Sequence, residues 1–409
     1  MLKKYQKLLL LFILLMAVLC VAGCTGEKES ETPAQDIPGL VKVTEFEGGT
    51  LYLVENLPVA QLNGNYHQMG RQYGALLKTQ INSFYQKAIT ENIQDGLKLP
   101  LNETAAFAAK NYEIYPLRIK AVFEGMAETS GLTVDQLMLI DQNVILSVLP
   151  SFSACSQIAA WGDYTGDGPL VFGKNEDFFD YFKDYDDTLS VVVYNPDDGS
   201  ASVASLCNAG QVSTMNAMNS EGIALAMNQA PMLKAPDLSS KKIPPLINYM
   251  TFLLNAGTMQ TMDAQFRSYR TPVSFIVDVA DTKRAISYEC SQDECRVREA
   301  APDGLLVATN HFADPSWILP EKETQSDEWT ESVTRYTNLV ALAEENKGSI
   351  EADTIMQILD TGFEDGGATR PWTVFQFVAE PAELNMWVKI PDYQDWVLVD
   401  VGELFTTTG

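Results

Sequence analysis

The stretch Ser153-Ala154-Cys155-Ser156-Gln157-Ile158-Ala159-Ala160-Trp161, continuing through Gly162-Asp163-Tyr164-Thr165-Gly166-Asp167-Gly168-Pro169 to Leu170-Val171-Phe172-Gly173-Lys174-Asn175-Glu176-Asp177-Phe178, decides how this chain is read. Two apolar runs enclose a turn rich in Gly and Asp, centred on Asp167-Gly168, which is the pattern of a β-hairpin. Cys155 stands at the head of its first strand, where no helix dipole lowers a thiol pKa. Such a cysteine can be activated another way. If the Ala154–Cys155 peptide bond is cut, the new α-amino group becomes the base for its own thiol, and an α-amino pKa of about 7.7–8.0 suits that task near ambient pH.

The segment before the hairpin is helical. Leu40 to Val54 reads as an entry hairpin, after which helices take over. Gly64 to Gly74 opens a helix near Tyr66 with Gly70 and Gly74 on one face, and Leu77, Ile81, Phe84, Tyr85 and Ala88 continue its stripe. Small residues at i, i+4 permit another element to approach closely. A second helical stretch runs from Glu103 to Glu128, broken at Pro116. A third runs from Thr133 to Val148, with Thr133 as N-cap and Gln136 three residues on. After the hairpin come strand-like segments at Leu189–Tyr194, Ser202–Leu206, Ile223–Met227, Val273–Val279, Ala285–Glu289 and Leu305–Ala308. Helical patterns return at Ile247–Leu254 and Ser332–Glu345, and Thr373–Val401 reads as strands. Antiparallel strands interleaved with helices describe an α+β layered domain, and the acidic run Asp184 to Asp187 reads as a solvated loop.

Composition narrows the chemistry. Of 409 residues, 54 are acidic and 28 basic, a formal charge of -26, and so negative a surface repels phosphate backbones, arguing against a nucleic-acid partner. The two histidines, His67 and His311, rule out a His-rich metal site, and no cofactor is expected. The N-terminus reads as an export signal: Lys3, Lys4 and Lys7, an apolar run from Leu8 to Val21, then Ala22-Gly23 before Cys24. That run is short of the roughly 20 residues a spanning helix needs. Val21-Ala22-Gly23-Cys24 resembles a lipobox, which makes 1–23 a lipoprotein signal peptide, Cys24 the lipidation site, 24–39 a flexible tether and 40–409 the folded domain, held at the cell membrane on its extracytoplasmic side. A plain secretory signal is the alternative. Export permits disulfides. Cys290 and Cys295 flank Ser-Gln-Asp-Glu, so a local bridge is one option and two thiols across a hairpin the other.

Five motifs in order carry a family resemblance. Cys155 to Phe178, the Gly70/Gly74 helix, Phe123 to Asn143, Met218 to Asn228 and Ala308-Thr309-Asn310-His311-Phe312 together resemble the acyl-coenzyme A:6-aminopenicillanic acid acyltransferase family of N-terminal nucleophile (Ntn) hydrolases, related to choloylglycine hydrolase and linear amide C-N hydrolases. The likeness spans Leu62 to Trp387. It implies an Ntn-hydrolase four-layer αββα sandwich with antiparallel sheets and self-cleavage between 154 and 155. It implies Cys155 as nucleophile, Asp177 as the carboxylate that holds the α-amino group or nearby substrate, Asn228 as an oxyanion-hole amide, and Asn310 as a second polar group facing the thiol. Lys174 stands at a substrate-binding position where choloylglycine hydrolases have arginine, and an ammonium does not replace a planar guanidinium. Arg335 resembles an arginine near the family's active site, which implies a substrate-binding role; the alternative is a solvated helix arginine. His311 reads as a hydrogen-bonded structural histidine beside the site.

The resulting expectation is a lipid-anchored linear-amide C-N hydrolase or acyltransferase whose partner is a small-molecule amide, working through a thioester. Two other readings stay open. One is a papain-like cysteine peptidase using Cys155 and His311, and the other is a non-catalytic surface lipoprotein that retains the fold.

Overall fold

The computed structural model describes residues 39–143, 154–178, 180–234 and 242–405. The expected signal peptide with Cys24, all of the expected tether but Gly39, and the end of the third expected helix lie outside the described residues. Two sheets dominate. The first has ten strands in the order β1 (Val41–Phe46), β2 (Gly49–Val54), β3 (Leu57–Gly64), β6 (Leu189–Pro196), β7 (Val203–Asn208), β8 (Asn216–Asn219), β9 (Ala224–Gln229), β10 (Phe275–Ala280), β11 (Ala285–Cys290) and β12 (Cys295–Glu299). All neighbours in it pair antiparallel except β3 and β6. The second, fully antiparallel, has the order β13 (Leu305–Ala308), β4 (Ser156–Ala160), β5 (Val171–Asp177), β14 (Thr373–Glu380), β15 (Asn385–Ile390) and β16 (Gln394–Asp400).

Helices cover the outer faces. On the large sheet α1 (Tyr66–Leu76) packs on β1–β3 and is itself covered by α4 (Leu117–Ser130), following α2 (Lys78–Phe84), a π-helical segment (Tyr85–Gly96) and α3 (Leu101–Glu113). The chain continues into α5 (Val134–Asp141), and later α6 (Pro245–Asn255) lies on β7 and β8, followed by α7 (Met259–Ser268). On the small sheet α8 (Asp327–Glu345) lies over β4 and β13, and α9 (Ala352–Asp360) over β5 and β14. Ile158, Val171 and Val378 from the small sheet bury against Leu339, Ala343, Ile355 and Leu359 from these helices. Helix, sheet, sheet and helix thus form the four layers of an αββα sandwich, with the two sheets face to face.

Local chemistry explains most boundaries. Asn65 and Thr133 each make a capping box, with Gln68 and Gln136 reaching back to the cap backbone. Pro116 separates α3 from α4, and Asp167 takes the left-handed φ of 66° that the β4–β5 connection needs. The structure adds elements the sequence pattern did not announce. β3 follows the entry hairpin directly, and the Gly70/Gly74 stripe breaks at Leu77 before turning π-helical. β8 spans only four residues, two of them Asn, and β12 is a half-exposed edge strand. α7 and α9 are likewise additional to the expected helices. Cys290 and Cys295 pair across β11 and β12 and form a disulfide. Asp184–Asp187 belongs to a 3-10 turn in which Tyr185 is buried, and burial raises the Asp186 carboxyl to about 7, so the run is not simply solvated.

α1 and α4 meet backbone to backbone. A Cβ on Gly70 would lie 2.1 Å from the Val122 carbonyl oxygen, and one on Gly125 would lie 2.1 Å from that of His67. Because backbone cannot yield as a flexible side chain does, Gly70→Ala should cost about 1–3 kcal/mol, read as a lowered midpoint in urea unfolding. Gly257→Ala, where no atom stands within 4 Å, should change it little.

Candidate active site

The β4–β5 ladder sets the site. Ser156 pairs with Asn175 and Gln157 with Lys174, so one step further along Cys155 comes opposite Glu176. Its Sγ lies 3.2 Å from Glu176 Oε1 and 3.7 Å from the Asp177 carbonyl oxygen, and the thiol donates to these acceptors. Cys155 is 1% exposed, and Ala154 before it is also buried. Burial, reinforced by the neighbouring Glu176 carboxylate, pushes the thiol pKa well above its ordinary value. In the unbroken chain Cys155 is therefore a protonated thiol enclosed in the protein.

Strand alternation turns Lys174 and Glu176 to the same face of β5, toward the large sheet. Their Nζ and Oε2 atoms are 2.6 Å apart, with side chains 0% and 2% exposed. Lys174 also donates to the Met227 carbonyl on β9, and Asn216 Nδ2 on β8 donates to Glu176 Oε2 at 3.1 Å. Three groups from two sheets thus converge on one carboxylate.

On the other side stands Arg335, from α8. It is 0% exposed, so it is not a solvated helix arginine. One guanidinium nitrogen donates to the Cys155 carbonyl at 2.6 Å and the other terminal nitrogen to Asn310 Oδ1 at 2.9 Å. Asp177 is buried too. Its Oδ1 accepts from Thr373 Oγ1 at 2.6 Å, and its Oδ2 has no hydrogen-bond partner among the described residues. Desolvation raises this carboxyl to about 7 although Arg335 and Thr373 pull the other way.

The two asparagines are both buried, with their amide donors engaged. Asn228 Nδ2 donates to the Ala308 and Thr309 carbonyls at 3.3 and 3.0 Å while its Oδ1 accepts from Gln157. Asn310 Nδ2 donates to the Gln229 carbonyl at 2.9 Å. In this geometry an oxyanion role for Asn228 requires its amide to exchange partners. His311 Nδ1 sits 2.9 Å from Ser332 Oγ and 3.0 Å from Thr309 Oγ1, and burial lowers its pKa to about 4. It is a neutral, packed histidine between Trp329 and Tyr336.

The structure therefore brings Cys155, Lys174, Asp177, Asn310 and Arg335 together through a continuous set of contacts, and joins Asn228 to them through Gln157 beside Lys174. Glu176, Asn216 and Thr373 complete the cluster and were not singled out from sequence. For Glu176 a signal existed, since period-2 alternation from Lys174 puts it on the same face. Asn216 and Thr373 come from distant strands and carry no local mark.

No family model matches the chain, and no curated protein matches it in sequence. Among solved structures it is similar to a mutant of conjugated bile acid hydrolase from Clostridium perfringens, at 12% identity and a TM-score of 0.43 over 61% of this chain and 93% of that one. It is similar to a Caenorhabditis elegans N-acylethanolamine-hydrolyzing acid amidase ortholog at 17% identity and a TM-score of 0.42, covering 58% of this chain and 94% of the other. A third similarity is to penicillin V acylase from Agrobacterium tumefaciens, with 13% identity, a TM-score of 0.42 and coverage of 62% and 89%.

Proposed function

We propose that this chain is a self-processing amide hydrolase: the Ala154–Cys155 bond is cut, and the Cys155 thiol then attacks linear amide carbonyls to give a thioester that water resolves. The observation that carries the reading is the setting of Cys155. It leads a central strand, its thiol and its carbonyl are each held by a buried charged side chain, and Asp177 Oδ2 lies close by without a hydrogen-bond partner among the described residues. A buried acceptor left so costs about 1–3 kcal/mol. An α-ammonium at Cys155 is the donor that would satisfy it, and Asp177 would in turn direct that amine toward Sγ. The amine can then take the thiol proton and return it to the leaving group without a histidine. The geometry of His311, turned to Ser332 and Thr309 and held neutral, gives the peptidase reading no comparable support.

Export and lipid attachment at Cys24 complete the proposal. The Cys290–Cys295 disulfide is what an oxidising compartment outside the cytoplasm permits. There coenzyme A thioesters are not at hand, which favours hydrolysis over acyl transfer. N-acylated amino compounds, acyl-homoserine lactones and penicillin-type amides are the substrate classes to screen.

Intact mass and N-terminal sequencing should find two fragments, the second beginning at Cys155, and Cys155→Ala should remain a single chain. One uncut chain in both would sink the proposal. The uncut Cys155→Ala chain carries a second expectation. Asp177 titrates near 7 when folded and near 4 when unfolded, so the folded state binds its proton more tightly. That stabilisation is complete below pH 4 and lost as the pH rises through 7. Adding Asp177→Asn to Cys155→Ala should therefore reduce the fall in unfolding free energy between pH 5 and pH 8, by an amount of order 2–4 kcal/mol, measured by urea titration at each pH.

A further inference from the structure

The amine that activates Cys155 does not exist until the Ala154–Cys155 bond has been cut, so the cut itself needs another proton acceptor. We propose that Glu176 is that acceptor, taking the Cys155 thiol proton in self-cleavage. The inference rests on the self-processing reading above.

The contacts of the carboxylate single it out. Glu176 is 1% exposed, and its two oxygens are unequally used. Oε2 is clamped by Lys174 Nζ at 2.6 Å and Asn216 Nδ2 at 3.1 Å, while Oε1 faces Cys155 Sγ at 3.2 Å. A carboxylate with one oxygen pinned by an ammonium and an amide has its other oxygen fixed in direction, which a base must have before it can act. The other carboxyl beside the thiol is differently placed. Asp177 meets Sγ through its backbone carbonyl and engages Oδ1 with Thr373. The Lys174 ammonium offsets the cost of burying this carboxylate through Oε2 and leaves Oε1 to the thiol.

The step balances. The thiol proton passes to Glu176 Oε1 as Sγ bonds to the Ala154 carbonyl carbon. When the tetrahedral adduct collapses, the C–N bond breaks and Glu176 returns the proton to the Cys155 nitrogen, leaving a primary amine and an Ala154 thioester on Sγ. Water then hydrolyses the thioester, freeing the Ala154 carboxyl and the thiol. Arg335, bonded to the Cys155 carbonyl, holds the reacting residue still throughout.

The test follows the appearance of the Cys155-initiated fragment in newly folded full-length chain. Glu176→Gln keeps the shape but cannot accept a proton, and it should slow cleavage at least 10-fold. Hydroxylamine, which cuts accumulated thioester, should release no fragment from it. Glu176→Asp keeps the charge that Lys174 needs, so it covers the case in which the amide variant fails to fold. Its withdrawn carboxylate should slow cleavage several-fold. Wild-type rates in either folded variant, or hydroxylamine release from Glu176→Gln, would overturn the role of Glu176 while leaving self-processing intact. An uncut wild-type chain would instead remove the self-processing reading and this inference with it.

Discussion

Two sheets cannot be laid face to face around a buried lysine unless that lysine is neutralised, and the inter-sheet layer of this protein is organised by that requirement. Lys174 is wholly enclosed between β5 and the large sheet, where an unpaired ammonium would be prohibitively costly. Glu176 two residues on supplies the counter-charge, and the Met227 carbonyl and the Asn216 amide supply the remaining hydrogen bonds. The bonds to Met227 and Asn216 also tie one sheet to the other. The register of β5 against β4 is then what carries the thiol of Cys155 to the one carboxylate oxygen the clamp leaves pointing outward.

The same layer extends beyond the thiol in both directions. Gln157 and Asn228 join β4 to β9, and Asn228 then holds the strand end at Ala308 and Thr309. Further out, Glu289 on β11 accepts from Arg298, from the Ala313 and Asp314 amides and from Trp317, which fixes the loop that follows Asn310 and His311. Asp278 on β10 is also enclosed, neither carboxylate oxygen has a hydrogen-bond partner among the described residues, and desolvation raises it to about 6. Apolar packing lies both between the sheets, where Ile276 of β10 meets Ala308 of β13 and Phe312, and outside them, where α8 and α9 cover the small sheet.

Much of this was legible before any tertiary structure. The hairpin that begins at Cys155, the capping box at Thr133, the break at Pro116 and the close-packing glycines of α1 all depend on neighbours within a few residues, so local sequence carries them. What was missed has equally plain causes. β8 is too short and too polar to show a period, and β12 takes its strand conformation from its ladder to β11 alone. α9 carries a helical stripe in Ala352, Ile355, Met356 and Leu359, but only over nine residues, shorter than the pattern of α8.

Local sequence carries a cysteine at the head of a strand and a glycine face on the first helix that lets another element approach closely. Which side chains meet that cysteine follows from contacts between distant elements. Glu176, Asn216, Thr373 and Arg335 reach its surroundings from β5, β8, β14 and α8. Whether a carboxyl or guanidinium ends buried against a thiol or loose in water depends on sheet register and layer stacking. Those are set by pairings between residues far apart in the chain, such as Phe172 with Ala379, and no local pattern encodes them.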